Sequence, residues 1–202
     1  FAATGAEAAT AAPLVFLAVK PQQTPAALAE IAPALAADAT LVSIVAGFPV
    51  ARLAALAGTP RIVRVMPNTP SLVGSEMCIR DSESVGHVHE ADESLMDAVT
   101  GLSGSGPGFL ALVVEALAEG GERAGLPADL ALALAVETFA GTGALLEKTR
   151  ESPAAIRAQV TSPGGTTLAG LGVLEDRGLQ QAFVDAVVAA TDRARELGRP
   201  PA

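Results

Sequence analysis

The chain has 202 residues, half of them hydrophobic, and a formal net charge of −9. This length suits one large or two small domains, and the acidic balance argues against nucleic acid as a partner, since phosphate binding needs clustered lysines and arginines. The single cysteine excludes an intrachain disulfide and fits a reducing compartment, so a cytoplasmic protein is expected.

Apolar strand patterns alternate with helical patterns in the first part of the chain. Strands are predicted at 13–19, 39–47 and 61–68, and helices at 24–38 and 49–58. This alternation indicates right-handed βαβ units and a parallel sheet. A short edge strand is also predicted at 85–89.

The pattern becomes helical from about Glu93. After a first helical stretch, "SGSGP" (103–107) breaks the pattern, and helices are predicted at 108–126, 127–152, 153–160, 162–178 and 179–198. Several of these helices are apolar almost all round, which indicates burial on several faces, including against another subunit. We therefore predict an α/β domain over residues 1–92, followed by an all-α domain over residues 93–202. No unbroken apolar run reaches the roughly 18–20 residues of a membrane span, so no membrane partner is expected.

Polar side chains follow two of the predicted strands. Lys20 ends the segment "LAVKP", at the strand end where ligands bind in open α/β sheets. It can face a phosphate, a ribose or a nicotinamide, or it simply marks where the strand reaches water. Asn68 and Thr69 lie between two prolines in "VMPNTP", which fix the backbone around them. A turn without function is the alternative there.

Two glycine-rich segments precede predicted helices. The small residues of "SGSGP" expose backbone N–H groups and admit a ligand closely, although a helix–helix turn capped by Ser105 fits as well. In "TSPGGTT" (161–167), Gly164 and Gly165 open a helix whose N–H groups and positive dipole end suit a carboxylate. A capped turn is the alternative for this segment.

His87 and His89 have the His-x-His spacing of a possible metal pair. No cysteine or further histidine follows them, so a solvated strand end is expected rather than a metal site. The sequence also shows no Ser-His-Asp set, P-loop or zinc spacing.

Five segments resemble, in order, the pyrroline-5-carboxylate reductase family: "FLAVKP", "RVMPNTPSLVG", "LMDAVTGLSGSGP", "EALAEGGERAGLP" and "VTSPGGTTLAGLGVLE". The resemblance covers most of the chain from Leu14 to Gly198. It implies a partial Rossmann-like domain in residues 1–92 and a helical dimerisation and substrate-binding domain in residues 93–202. It also implies a homodimer or larger homo-oligomer that reduces the cyclic imine 1-pyrroline-5-carboxylate to L-proline, with NADP or NAD as the cofactor.

The resemblance assigns roles to particular residues. Those at the cofactor-contacting strand ends are Ala18, Val19, Lys20, Pro21, Ile44, Val45, Ala46 and Asn68, the last of them near the nicotinamide. Those in the loop that holds the substrate carboxylate and ring nitrogen, from the same subunit or its partner, are Ser162, Gly164, Gly165, Thr166 and Thr167. Thr167 is the expected catalytic residue, because its hydroxyl can donate to the ring nitrogen or relay a proton. A related NADP-dependent reductase and a dimerisation module without catalysis are the alternatives.

Two departures from the family pattern affect what this chain is expected to do. No G-x-G-x-x-G motif precedes Leu14, so we expect the unit that cradles the pyrophosphate to be missing and dinucleotide binding to be weak. The stretch "SEMCIRDS" (75–82) stands where the family has a helix and further strand residues. We therefore expect 75–82 to be foreign to the fold, and Cys78 not to be a nucleophile.

Overall fold

The structure is a computed structural model, and it describes residues 2–10, 12–69, 77–78 and 89–199. The strands in this part are β1 (Leu14–Leu17), β2 (Thr40–Ser43), β3 (Ile62–Arg64), β4 (Met66–Pro67) and β5 (Met77–Cys78). The helices up to Val99 in this part are α1 (Gly5–Thr10), α2 (Thr24–Ile31), α3 (Val50–Ala57) and α4 (Met96–Val99). A π-helical turn at Thr100–Gly104, here called the π-turn, follows α4. The later helices are α5 (Gly106–Arg123), α6 (Ala128–Thr149), α7 (Pro153–Gln159), α8 (Thr166–Asp176) and α9 (Leu179–Gly198).

The chain divides into two compact units. The sheet unit comprises Phe1–Pro107 and Val187–Ala202, and the helical unit comprises Gly108–Ala186. An α/β region followed by helices is the predicted fold class, and it is confirmed. The predicted domains, residues 1–92 and 93–202, do not coincide with these two compact units. The predicted domain boundary therefore stays a prediction.

Strands β1, β2 and β3 form the predicted parallel sheet, in that order. Their register pairs Leu17 with Ser43 and Ser43 with Arg64, so all three strands end at the same level. The prediction of one parallel strand over 61–68 is wrong at its end, because β4 pairs antiparallel with β5. Pro67 has no N–H to donate, so it cannot extend a regular ladder.

The core of the sheet unit lies between the sheet and the helices α2 and α3. Its buried side chains include Leu28 and Leu41 from α2 and β2, with Phe48 and Leu53 from the α3 region. Each of these four is at most 1% exposed. Burying one such side chain contributes about 1.5–3 kcal/mol, so these contacts hold the strand ends in a fixed arrangement.

The end of α9 belongs to the sheet unit and packs closely on the loop after β2. Gly47 has φ of +68°, and a Cβ atom there would lie 2.6 Å from the carbonyl oxygen of Ala194. The guanidinium of Arg52 lies 4.3 Å from the ring centroid of Phe48 and donates to the carbonyl oxygen of Gly198 at 3.2 Å. An arginine that binds the last carbonyls of a helix stabilises that end, so α9 is anchored here.

The predicted break at "SGSGP" is wrong, because the helix continues through this segment as the π-turn. The N–H of Ser105 donates to the carbonyl oxygen of Thr100 at 3.0 Å, which is an i→i+5 bond. Ser105 is not an N-cap either, since its hydroxyl donates to the same carbonyl oxygen at 3.3 Å. The extra residue in the turn widens the helix without ending it.

The helical unit exposes many large apolar side chains. On α6 these include Leu132 and Val136, which are 51% and 49% exposed. By length and composition alone, two helical stretches of the described residues, Glu93–Arg123 and Ala128–Thr149, could cross a membrane. Neither stretch is an unbroken apolar run, so the sequence criterion used above does not detect them. Core helices of soluble proteins pass the same test, so this finding is weak evidence for a membrane.

A buried arginine joins β3 to the start of the helical region. The Arg64 side chain is 4% exposed, and its guanidinium donates to Glu93 at 2.8 Å and to Asp97 at 3.4 Å. The Glu93 carboxylate also accepts the N–H of Val50, the first residue of α3, at 3.1 Å. One ion-pair cluster therefore connects the sheet, α3 and α4.

Replacing Arg64 by methionine is expected to lower the free energy of unfolding by about 1–3 kcal/mol, because two charged hydrogen bonds are lost and Glu93 and Asp97 keep uncompensated charge. Urea denaturation measures this change. Arg193→Met is the control, since Arg193 is 65% exposed and pairs with Glu196 within its helix. A change within about 0.5 kcal/mol is expected for this variant. Equal effects of the two substitutions would contradict the role given to the cluster.

Candidate functional site

The residues predicted to contact a cofactor leave the sheet at one edge. Since Leu17, Ser43 and Arg64 are in register, the segments that follow them emerge side by side at the carboxyl ends of the strands. The predicted residues on these segments are Ala18, Val19, Lys20, Pro21, Ile44, Val45, Ala46 and Asn68. The structure therefore brings together the seven predicted residues that directly follow β1 and β2, at the edge where open α/β sheets bind ligands. Asn68 lies further along the third segment, beyond β4.

Exposure differs among these residues. Ala18 and Lys20 are exposed, while Ile44 and Ala46 are half-buried. Val45 is 1% exposed and belongs to the core. Any contact from Val45 to a bound molecule must therefore use its backbone.

Lys20 is held at this edge by a short 3₁₀ turn over Pro21–Gln23. The carbonyl oxygen of Lys20 accepts the N–H of Gln23 at 2.9 Å, and the hydroxyl of Thr24 donates to the same oxygen at 3.4 Å. Thr24 is fully buried. The Lys20 backbone is thus fixed while its ammonium group stands in solvent, where it can meet an anionic ligand.

Asn68 follows β4, and it contacts a residue that the sequence reasoning did not single out. Its Nδ2 donates to Ser103 Oγ at 2.8 Å. Ser103 lies in the π-turn, within the segment "SGSGP" whose function was left open. That segment was the available signal, but nothing in the sequence pairs it with Asn68.

The predicted substrate loop lies in the helical unit. The N–H of Gly165 donates to the carbonyl oxygen of Ser162 at 3.0 Å, with Pro163 and Gly164 between them. Gly164 has φ of +72°. A type II turn requires a positive φ at its third position, which glycine adopts readily, and proline is common at its second position. Residues Ser162–Gly165 therefore have the sequence and the hydrogen bond of a tight turn.

This turn leads directly into the N-terminus of α8. Gly165 is the N-cap residue, and among the described residues no side chain caps this end. The N–H groups of the first helical residues, including Thr166 and Thr167, therefore have no partner inside the helix. Thr167 is half-buried and Thr166 is exposed. Free N–H groups and the positive end of the helix dipole favour an anionic group here.

Gly165 also explains how Ser162 fits beside the helix end. A Cβ atom on Gly165 would lie 2.5 Å from the Ser162 hydroxyl oxygen and 3.1 Å from the Ser162 carbonyl oxygen. Glycine thus allows the hydroxyl to fold over the turn. The structure brings Ser162, Gly164, Gly165, Thr166 and Thr167 together within this turn and the first helical turn.

The helical unit also contains an open groove, away from the predicted substrate loop. It has a volume of about 760 Å³ and is lined by residues of α7, α8 and the start of α9, among them Arg157, Leu174 and Phe183. None of the predicted site residues lines it. Its open, largely apolar wall resembles a surface that another protein chain covers more than an enclosed substrate site.

His89 is the histidine that lies within the described residues. His89 is exposed and lies outside any strand, and no group of three or more potential metal-binding side chains occurs among the residues described. His87, residues 85–88 of the strand predicted at 85–89 and the side chain of Cys78 lie outside the described residues.

Two family models match the chain. One, described as pyrroline-5-carboxylate reductase dimerisation, matches residues 93–197. The other, described as NADP oxidoreductase coenzyme F420-dependent, matches residues 1–47. The second match covers the first two strands of the parallel sheet, and the first covers every residue of the predicted substrate loop.

Similar proteins carry the same family name. The chain is 44% identical to the pyrroline-5-carboxylate reductase of Synechocystis sp., with 96% of this chain and 78% of the relative covered. It is 40% identical to that of Arabidopsis thaliana, with 97% and 77% covered. The crystal structure of Plasmodium falciparum pyrroline carboxylate reductase with NADP bound matches it with a TM-score of 0.89 at 30% identity, covering 98% of this chain and 82% of that chain. The chain belongs to the pyrroline-5-carboxylate reductase family.

Proposed function

We propose that the protein reduces 1-pyrroline-5-carboxylate to L-proline with NADPH or NADH, as an oxidoreductase of the cytoplasm. The observation that carries the proposal is the turn at Ser162–Gly165, which opens the N-terminus of α8 and leaves uncharged hydroxyls beside free N–H groups. This arrangement suits a small ring with one carboxylate and one nitrogen. In the reaction, the imine carbon gains the hydride that the cofactor supplies, and the ring nitrogen gains a proton.

The carboxyl edge of the sheet fits the nicotinamide part of the cofactor. The backbone of three strand ends is in register there, the half-buried Ile44 and Ala46 offer an apolar surface, and Lys20 supplies a cation. When bound, the cofactor supplies the hydride. We propose that Ala18, Val19, Lys20 and Pro21 on one strand end, Ile44, Val45 and Ala46 on the next, and Asn68 beyond β4 hold it.

The loop of the helical unit binds and orients the substrate in this proposal. The N–H groups at the start of α8 anchor the carboxylate, with the hydroxyls of Ser162 and Thr166 beside them. Gly164 and Gly165 allow the backbone to approach the ring closely. The Thr167 hydroxyl donates to the ring nitrogen, which makes the imine carbon more electrophilic, so no strong acid or base is needed in the loop.

Homo-oligomerisation follows from the family model and agrees with the exposed apolar helices. Leu132, Leu134 and Val136 on α6 are each more than two-fifths exposed in the single chain. Apolar patches of this extent mark interaction surfaces. We propose that a second copy of the chain covers them, and that no nucleic acid or membrane does. A dimerisation module without catalysis is the second candidate function, favoured by the same exposed surface.

The double substitution Leu132→Glu, Val136→Glu is expected to convert the oligomer to monomers, because two charges on one face of α6 would have to be buried without partners. Size-exclusion chromatography with light scattering measures the mass, and circular dichroism checks that the helices remain. Glu137→Gln on the same helix is the control and is expected to keep the parent mass, since charged side chains are depleted at interface centres. A double variant with the parent mass would contradict the proposed interface.

The activity itself is tested by steady-state kinetics on the purified full chain. With 1-pyrroline-5-carboxylate and either cofactor, the absorbance of the reduced nicotinamide is expected to fall in step with the formation of L-proline. The two cofactors are compared in parallel because the sequence does not indicate which is preferred. An oligomer that forms without any turnover would favour the dimerisation module.

A further inference from the structure

We propose that Ser103 is a positioning residue that fixes the amide of Asn68 at the carboxyl edge of the sheet. The Ser103 Oγ accepts a hydrogen bond from Asn68 Nδ2, with 2.8 Å between the two atoms. Both side chains are partly buried. The consequence for catalysis rests on the proposed function, which places Asn68 beside the nicotinamide. Ser103 itself acts through Asn68 and is not assigned any contact with substrate or cofactor.

Asn68 is the last of three alternating residues that attach the β3–β4 segment to the helical segment beside it. Arg64 pairs with Glu93 and Asp97. The terminal methyl group of Met66 lies against Gly104, where a side chain would displace it. Alternate residues of an extended chain point to the same side. The contacts of Arg64, Met66 and Asn68 therefore form one continuous attachment that ends at the edge of the site.

The π-turn that carries Ser103 is also held from its other side. Gly101 packs against α9 so closely that a Cβ atom would lie 2.8 Å from the backbone nitrogen of Thr191 and 2.9 Å from the carbonyl oxygen of Val187. Residues two apart on a helical turn do not face the same way. Gly101 thus faces α9 while Ser103 faces Asn68. The π-turn is therefore held between α9 on one side and the β3–β4 segment on the other.

These contacts on both sides of the π-turn give the hydrogen bond between Asn68 and Ser103 a defined geometry. Thr100 is 8% exposed, and its hydroxyl donates to the carbonyl oxygen of Met96 at 2.8 Å, so the start of the turn is buried and bonded as well. The Ser103 hydroxyl is therefore carried by a backbone that has little freedom to shift. π-turns of this kind are frequent at functional sites. Here the turn presents a fixed acceptor to a side chain at the ligand edge.

A spectroscopic test is available because Asn68 is the only asparagine in the sequence. Protein labelled with [15Nδ2]asparagine gives a single pair of side-chain amide proton signals. Ser103→Ala is expected to move these signals, since one amide proton loses its acceptor. Ser105→Ala is the control, because that hydroxyl donates within the turn to Thr100, and the pair is expected to stay in place. An unchanged pair in Ser103→Ala would overturn the proposal.

Kinetics test whether the bond matters for the reaction. Ser103→Ala is expected to lower kcat by between about tenfold and a hundredfold, with a smaller change in KM for the imine, because a misplaced cofactor reacts poorly once bound. In an Asn68→Ala background the same substitution is expected to change kcat by less than about twofold, since coupled residues are not additive. Effects that multiply independently would overturn the proposal.

The two proposals fail in different ways. A parent protein without turnover would count against the proposed function alone. The labelled amide signals would still show whether Ser103 holds Asn68, and their change on titration with NADPH would show whether Asn68 lies at the cofactor. Amide signals of the parent that do not respond to NADPH would overturn the link between Ser103 and the reaction.

Discussion

Replacing Thr167 by alanine is expected to lower kcat for imine reduction by about a hundredfold to a thousandfold. The hydroxyl stands on the first turn of α8, half-buried, beside N–H groups that suit the substrate carboxylate. A neutral ring nitrogen must gain a proton as the carbon gains a hydride, and a donor held at that nitrogen lowers the barrier. KM for the imine is expected to change less, because the carboxylate anchor is untouched.

Two further variants separate the loss of the hydroxyl from a loss of fold. Thr167→Ser keeps a hydroxyl at the same place, so most of the activity is expected to return. Thr142→Ala is the matched control, since the Thr142 hydroxyl donates to the carbonyl oxygen of Thr138 within α6. Parent-like kcat in Thr167→Ala, with an unchanged melting temperature, would remove Thr167 from the mechanism.

Gly101→Ala is expected to destabilise the protein by about 3 kcal/mol, the upper end of what overpacking usually costs. The added methyl group would meet the side chain and backbone of Thr191 and the backbone of Val187, and α9 would have to move away from the π-turn. For a chain of this length such a loss lowers the melting temperature by about 6–12 °C. Differential scanning calorimetry measures it.

Gly120→Ala is the matched control for this substitution. Gly120 lies inside α5, and a Cβ atom there meets nothing within 4 Å. Alanine in a helix interior is favoured over glycine, so a gain of about 0.5–1 kcal/mol is expected. Thr191→Ala in the Gly101→Ala background is expected to restore only part of the loss, because the backbone contacts remain. Equal melting temperatures for the two glycine variants would contradict the close packing of α9 on the turn.

The parallel sheet could be predicted because each strand is a short β-rich apolar run whose pattern is local. The turn before α8 could also be predicted, since Pro163, Gly164 and Gly165 specify it through their own backbone preferences. The assignment of substrate and cofactor residues stays a prediction, because it rests on the resemblance of motifs. The structure adds that those residues form two local groups, one at the sheet edge and one at the start of α8.

Two of the features that the sequence does not predict depend on residues far apart in the chain. The pairing of β4 with β5 needs a partner strand, and Asn68 reaches Ser103 across 35 positions. The π-turn is local, but its glycine and serine residues favour turns and therefore predict a break. A single i→i+5 hydrogen bond does not change the spacing of apolar residues enough to be detected in the sequence. Val45 belongs to a buried cluster with residues of other elements, such as Leu28 and Leu41, which a short sequence motif does not show.

The most direct test of the central claim follows the hydride itself. The purified chain is mixed with 1-pyrroline-5-carboxylate and with NADPH that is deuterated at the transferred position of C4. The cofactor is supplied at millimolar concentration so that its binding does not limit turnover. The product is analysed by mass spectrometry. Proline that carries one deuterium on the former imine carbon is the expected result. No deuterated proline, from a folded and oligomeric protein, would contradict the account.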